Sequence, residues 1–226
     1  MRSAIIFFAQ LPDGKGTKHP LSAEIGRPKA VELLELFHED YAERLCGSAD
    51  IIVCYEPAVA LERYRVIFGD NCRYAARRGG TDGEKIDNVF RFAFEQAYDK
   101  VLAVGVSCPD LPTENYGAAL SALNSRQACA EKTGPDECCL FGLTRKGYVP
   151  GSLDGIKLGD DGGFENCVSA LERHYDGVSF LPDWPAVRTA ADIRALYRRN
   201  FDSAFTGSKT FAYLRGNSEL AGAALE

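Results

Sequence analysis

Short apolar runs alternate with longer stretches whose apolar residues recur at helical spacing, and this alternation organises the whole chain. The runs Ala4–Ala9, Asp50–Tyr55, Cys72–Ala76, Val101–Val106, Ala128–Lys132, Cys138–Thr144 and Val178–Leu181 predict strands. Between them, Pro28–Cys46 places Val31, Leu34, Phe37, Tyr41 and Leu45 on one stripe, which predicts an amphipathic helix with His38 half-exposed beside it. Further helices are predicted over Ala58–Phe68, Glu84–Tyr98, Thr113–Asn124, Phe164–Tyr175 and Thr189–Arg199. Thr113 reads as the cap of its helix, and Thr189 with Asp192 forms a capping box. The tail from Phe201 to Glu226 reads as helical and peripheral, packed on the main domain of residues 1–200.

Strands that alternate with helices predict an α/β fold: a three-layer α/β/α sandwich around a mostly parallel sheet. In such a sheet, ligands bind in the crevice beyond the carboxyl ends of the strands. Two polar segments fall there. Gln10-Leu11-Pro12-Asp13-Gly14-Lys15-Gly16-Thr17-Lys18 follows the first strand, and its glycines and lysines suit a phosphate cradle without the spacing of a Walker loop. Ser107-Cys108-Pro109-Asp110 follows the central strand, where proline and a carboxylate stop the apolar run. Both segments are expected on one rim, lining the largest functional pocket.

Composition narrows the classes. The 226 residues are 46% hydrophobic and 26% charged, enough for one sizeable core. A formal net charge of −6 argues against nucleic acid, which calls for a basic face, but not against nucleotides. The eight cysteines form no Cys-x-x-Cys pair, and several lie within apolar runs, so they read as reduced and buried. No run approaches a membrane span, and Met1–Gln10 turns polar too soon for a signal peptide; a cytoplasmic protein is expected.

Several segments, in order, carry a family resemblance. The loop ending Lys18-His19-Pro20-Leu21 corresponds to a Lys-Thr-Arg-Leu loop, and Asp82-Gly83-Glu84-Lys85 to Leu-Gly-Glu-Arg at a helix start. Gly105-Val106-Ser107-Cys108-Pro109-Asp110-Leu111 corresponds to Gly-Ser-Asp-Cys-Pro-Asp-Leu, and Gly134-Pro135 and Gly142-Leu143 to a later turn and strand end. On these motifs, from about Ala4 to Leu196, the chain resembles bacterial proteins of the GT-A glycosyltransferase superfamily, the nucleotide-diphospho-sugar transferases.

The resemblance implies a transferase using a nucleotide-activated sugar, with an acceptor the sequence does not name. It implies Asp110 and Asp136 as catalytic carboxylates, and Gln10, Gly14, Lys15, Gly16, Lys18, Gly83, Lys85, Ser107 and Cys108 as nucleotide and phosphate contacts. It also implies Mg or Mn, for which Asp110 is the candidate ligand. The departures gather at the acidic positions. Ser107 replaces the Asp before Cys-Pro, Ala186-Val187-Arg188-Thr189 replaces Asp-Val-Asp-Thr, and Asp136-Glu137-Cys138-Cys139 meets Asp-Gly-Gly-Tyr with a one-residue length difference. Weak metal binding is therefore expected, with fixed cations such as Lys18 and Arg188 serving the phosphates. Two alternatives stand beside the transferase: a nucleotide-binding protein that has lost turnover, and a nucleotidyltransferase acting on a phosphorylated small molecule.

Overall fold

A computed structural model of the protein describes residues 1–10, 19–45, 49–56, 60–133, 138–156 and 163–222. Its centre is a seven-stranded sheet. In chain order the strands are β1 (Ser3–Gln10), β2 (Asp50–Glu56), β3 (Arg73–Ala76), β4 (Lys100–Val104), β5 (Ala128–Lys132), β6 (Cys138–Thr144) and β7 (Val178–Leu181). They lie side by side as β3-β2-β1-β4-β6-β5-β7. All neighbours run parallel except at β6, which pairs antiparallel with both β4 and β5. The mostly parallel α/β/α sheet expected from the sequence is thus present.

β1 and β4 are apolar because both of their faces are covered. Ala4, Ile6 and Phe8 pack with Ile86, Phe90 and Phe94 of α4 (Asp82–Glu95). Ile5 and Phe7 point the other way, toward Tyr41 of α2 (Arg27–Leu45), Phe68 of α3 (Leu61–Phe68) and Ala119 of α5 (Thr113–Ala122). At Gly142, in β6, an added Cβ would come within 2.5 Å of the Leu102 side chain and 3.0 Å of Cys129 Sγ. Only glycine lets β6 pass between β4 and β5 under Leu123.

α1 (Leu21–Glu24) is a single turn without sequence periodicity, and it precedes α2. α4 starts at Asp82 because Thr81 and Glu84 close a capping box, and it stops at Glu95, just before Ala97 adopts a φ of 63°. The box at Thr189 opens α7 (Ala190–Arg199) as expected, whereas α5 begins after Pro112 with no side-chain cap. α6 (Gly163–Glu172) covers the same face as α4. Beyond α7, the chain adds a short 3-10 helix (Ala204–Gly207), α8 (Lys209–Gly216) and α9 (Ser218–Ala221). Phe205, Phe211, Leu214 and Leu220 of this tail are buried against Leu33, Phe37, Ile193 and Leu196. Asp40 of α2 accepts from Lys209 N at 2.8 Å and Thr210 N at 3.0 Å, capping α8 from across the chain. No helix among the described residues is long and apolar enough to cross a membrane. The seven described cysteines are free thiols, and Cys54, Cys108, Cys129, Cys139 and Cys167 are buried.

His38 is fully buried rather than half-exposed, because its ring faces the sheet, packed edge-on against Phe7 of β1 and Phe68 of α3. Its Nδ1 donates to Leu34 O at 2.6 Å, and its Nε2 accepts from Gln10 N at 3.1 Å. That pairing requires the neutral ring, and burial pushes its pKa down to about 4. The unfolded chain binds the proton near pH 6.5 and the folded chain does not, so this contribution to stability is whole above pH 6.5 and lost toward pH 4. Glu131, buried in β5 with its pKa raised to about 7, slopes the other way, since its folded form holds a proton that the unfolded form releases. A difference between variants isolates His38. Thermal denaturation of His38→Gln should lose less stability than wild type between pH 6.5 and 5, within a ceiling of about 2 kcal/mol. Parallel pH curves for the two proteins would contradict the assignment.

Candidate functional site

The site is built where β1, β2, β3 and β4 all end at one rim of the sheet. Past Val104, Gly105 N donates to Cys139 O at 2.8 Å, carrying the β4–β6 ladder one residue further. The chain then turns, and Leu111 N closes on Cys108 O at 3.1 Å. This turn is held from three directions. From α2, Tyr41 Oη donates to Cys108 O, and Arg44 donates to Pro109 O and to Leu111 O. From the segment before α7, Val187 N donates to Ser107 O at 2.8 Å.

The third hold is Asp110 itself. Its side chain is wholly buried and takes a bidentate pair from Arg199, Nε at 2.7 Å and Nη2 at 2.8 Å. Asn200 Nδ2 adds a hydrogen bond at 2.7 Å and Trp184 Nε1 another at 3.1 Å. Four donors fill the carboxylate, and Asp110 does not reach the cleft. Cys108 is likewise buried, with its thiol toward Pro185 O at 3.9 Å. Both residues carry the turn that presents Ser107.

Ser107 does reach the cleft, a cavity of about 150 Å³ on this rim. Gln10 and Phe8 contribute from β1, Gly105 and Val106 from the end of β4, and Cys138 and Cys139 from β6. Arg77, His19 and Arg188 complete its wall. Gln10 and Ser107 therefore share one cleft. Gly14, Lys15, Gly16, Lys18 and Asp136 lie outside the described residues.

Lys85 lines a different hollow, about 410 Å³ between β3 and α4, together with Arg78 and Arg91. Its Nζ lies 3.6 Å from Glu56, at the end of β2. Gly83 serves packing: an added Cβ would lie 2.6 Å from Leu153 O, so glycine admits the turn at Leu153–Gly155 against α4. A third hollow of about 570 Å³ lies between that turn and the start of α4. The rim cleft is thus not the largest hollow, contrary to expectation, but it is the one on which the strand ends converge.

Its charge is positive. Arg77 and Arg188 face it, and no carboxylate lines it among the described residues. His19 is held neutral, its pKa pushed down to about 4 by burial, then by Arg188 and His38. A divalent cation wants several hard oxygens. The cleft offers side-chain oxygen from Gln10 and Ser107 only, opposite two guanidinium groups, and no group of three or more His, Cys, Asp or Glu is placed to hold a metal among the described residues. That donor set does not fit such an ion; it fits an anion.

Sequence reasoning passed over Arg77, His19, Arg199 and Asn200. The Arg77-Arg78 pair directly after a strand was the available signal for the first. Nothing local marks Arg199, whose partner Asp110 is 89 positions away.

The sheet order and the crevice past its strand ends define a nucleotide-diphospho-sugar transferase fold. A solved structure described as that of a "putative nucleotide-diphospho-sugar transferase from Desulfovibrio desulfuricans G20" matches 98% of this chain and 98% of its own, with 32% identity and a TM-score of 0.89. The chain belongs to that nucleotide-diphospho-sugar transferase family. Residues 42–139 also match the profile of a bacterial family described as "Uncharacterized protein conserved in bacteria (DUF2064)". More distant structures share the fold. One is CMP:2-keto-3-deoxy-manno-octonic acid synthetase complexed with CTP, at 11% identity and TM-score 0.52 over 89% of this chain and 100% of that one. Another is the 4-diphosphocytidyl-2C-methyl-D-erythritol synthase of Anaerococcus prevotii DSM 20548, at 16% and 0.52 over 94% and 95%. No curated protein matches the chain.

Because Asp110 is saturated by protein donors, its loss should register first as stability. Breaking a buried pair leaves the other charge unpaired, at about 3–5 kcal/mol, and the partial exposure of Arg199 favours the lower end. Denaturant melts of Asp110→Asn, Arg199→Met and the double variant should show a double loss smaller than the sum of the singles. A stable Asp110→Asn protein would refute the structural role.

Proposed function

We propose that the protein is a transferase that takes a nucleotide-activated sugar and seats its phosphates in the rim cleft. The observation carrying this reading is the convergence of Ser107, Gln10, Arg77 and Arg188 on one cleft at the carboxyl ends of the strands, in a chain of this family. In the proposed reaction an acceptor oxygen forms a bond to the anomeric carbon of the sugar. The bond from that carbon to the diphosphate breaks, and the nucleoside diphosphate leaves with the bonding electrons. Positive charge fixed beside the leaving diphosphate stabilises it as the charge develops. In this reading Lys18 supplies a charged contact to the phosphates, and Gly14 and Gly16 suit the close approach of backbone N–H groups. Asp136 then remains as the catalytic carboxylate of the family pattern, because Asp110 is committed to Arg199.

A second reading, a nucleotide-binding protein without turnover, draws support from that commitment of Asp110 and from the lack of a carboxylate along the cleft among the described residues. A thermal-shift panel of nucleoside diphosphates, their sugar conjugates and nucleoside triphosphates is the first test. A sugar conjugate should raise the melting temperature most, and Lys18→Ala should weaken its binding about tenfold or more. Release of nucleoside diphosphate in the presence of acceptor extracts would establish transfer, whereas binding without release favours the second reading. Pyrophosphate release from a triphosphate would point to a nucleotidyltransferase, and a panel with no stabilising ligand would contradict all three.

A further inference from the structure

Arg77 is buried without being satisfied. Its side chain is 8% exposed, yet Nη1 reaches Glu56 Oε2 only at 3.4 Å, and Nε is buried with no hydrogen-bond partner. A buried guanidinium is costly unless its donors are paired, and native structures rarely leave such a group open without a purpose. The neighbours do not supply the missing acceptor. The Phe8 ring, 5.4 Å from the guanidinium carbon, offers a face and no lone pair. The Cys54 thiol lies within hydrogen-bonding reach of the guanidinium, but burial raises its pKa to about 11 and keeps it neutral, so it offers a weak sulfur contact in place of a charged acceptor. Glu56 is itself 43% exposed and shared with Lys85 Nζ at 3.6 Å, so neither cation holds it closely. The position of Arg77 is fixed all the same, because its backbone N donates to Tyr55 O at 2.8 Å and extends the β2–β3 ladder to the edge of the cleft.

We propose that Arg77 is the oxyanion receptor of the cleft, presenting Nε and one Nη as a fork to two oxygens of a phosphate group while Glu56 shifts to Lys85. The fork matches phosphate geometry and is worth more where water is scarce. The cavity of about 150 Å³ suits a phosphate or diphosphate moiety, with the remainder of a ligand lying outside it. Glu56 then acts as a resident competitor: it partly neutralises the empty site and must give way when the anion arrives. This assignment rests on the cleft being the phosphate site, and it adds which residue reads the phosphate.

Isothermal titration of inorganic pyrophosphate and of four nucleoside diphosphates (UDP, CDP, ADP, GDP) in EDTA tests it on the full chain. Arg77→Met should weaken pyrophosphate binding at least tenfold. Arg77→Lys, a point charge without the fork, should also bind more weakly than wild type. Glu56→Gln should tighten binding several-fold, a direction that a purely structural ion pair would not give, and this variant carries the test if Arg77→Met fails to fold. Unchanged affinity in Arg77→Met, or weaker binding in Glu56→Gln, overturns the proposal. If nucleoside diphosphates bind with no regard to Arg77, the assignment fails and the nucleotide reading stands. If pyrophosphate binds through Arg77 but no nucleoside diphosphate binds, the nucleotide reading fails and the receptor stands. Absence of binding by every probe overturns both.

Discussion

The hydrogen-bonded ion pair between Asp110 and Arg199 is the constraint on which the rim depends. β4 delivers a short turn into a place where three separate segments must meet: α2, the stretch before α7, and the residue that follows α7. Asp110 joins the last two through Arg199, Asn200 and Trp184, while Tyr41 and Arg44 join the first. A buried carboxylate costs several kcal/mol to desolvate and is tolerated when its lone pairs are filled by charged and neutral donors together. Here they are filled, and the turn presents the small hydroxyl of Ser107 to the cleft while the acid beside it faces inward. A residue type expected to meet a metal has become the anchor of the scaffold.

That exchange sets the electrostatics of the cleft. With Asp110 turned away, Ser107 at an acidic position of the family pattern, and Arg188 at another, the described wall carries guanidinium charge and neutral oxygens. Burial on a low-dielectric rim makes such charge more effective toward phosphate than it would be in water. His19, held neutral between Arg188 and His38, adds no further repulsion among the cations. Ser107 and Arg188, where the family pattern has carboxylates, thus leave the described wall positive and short of the oxygen ligands a divalent cation needs.

How much of this was legible depends on the range of the interactions. The strands of the sheet were, because burial on both faces leaves a continuous apolar mark, and so were α2, α4 and α7, whose stripes are periodic. The antiparallel direction of β6 was not, since Cys138–Thr144 looks the same run either way; only its short link from Lys132 hints at a hairpin. α1 is too short for periodicity. The burial of His38 escaped as well, and so did the hold on the tail, because Asp40 caps a helix 169 positions further on. In the cleft, Ser107 and Gln10 could be placed together because both stand at the ends of strands. Arg77 was missed because its meaning lies in its position over Phe8 and beside Glu56, which no local pattern records. Lys85 and Gly83 belong to the motif that resembles the family's, yet the fold sets one toward a neighbouring hollow and uses the other for close packing.

The central claim is that fixed side-chain charge, rather than a divalent cation, receives phosphate in this cleft. The most direct measurement is the affinity of one nucleoside diphosphate by calorimetry, first with EDTA and then with millimolar magnesium or manganese. Binding is expected in EDTA, with an affinity that the metals change by less than about threefold. Binding that appears only when metal is added would contradict it.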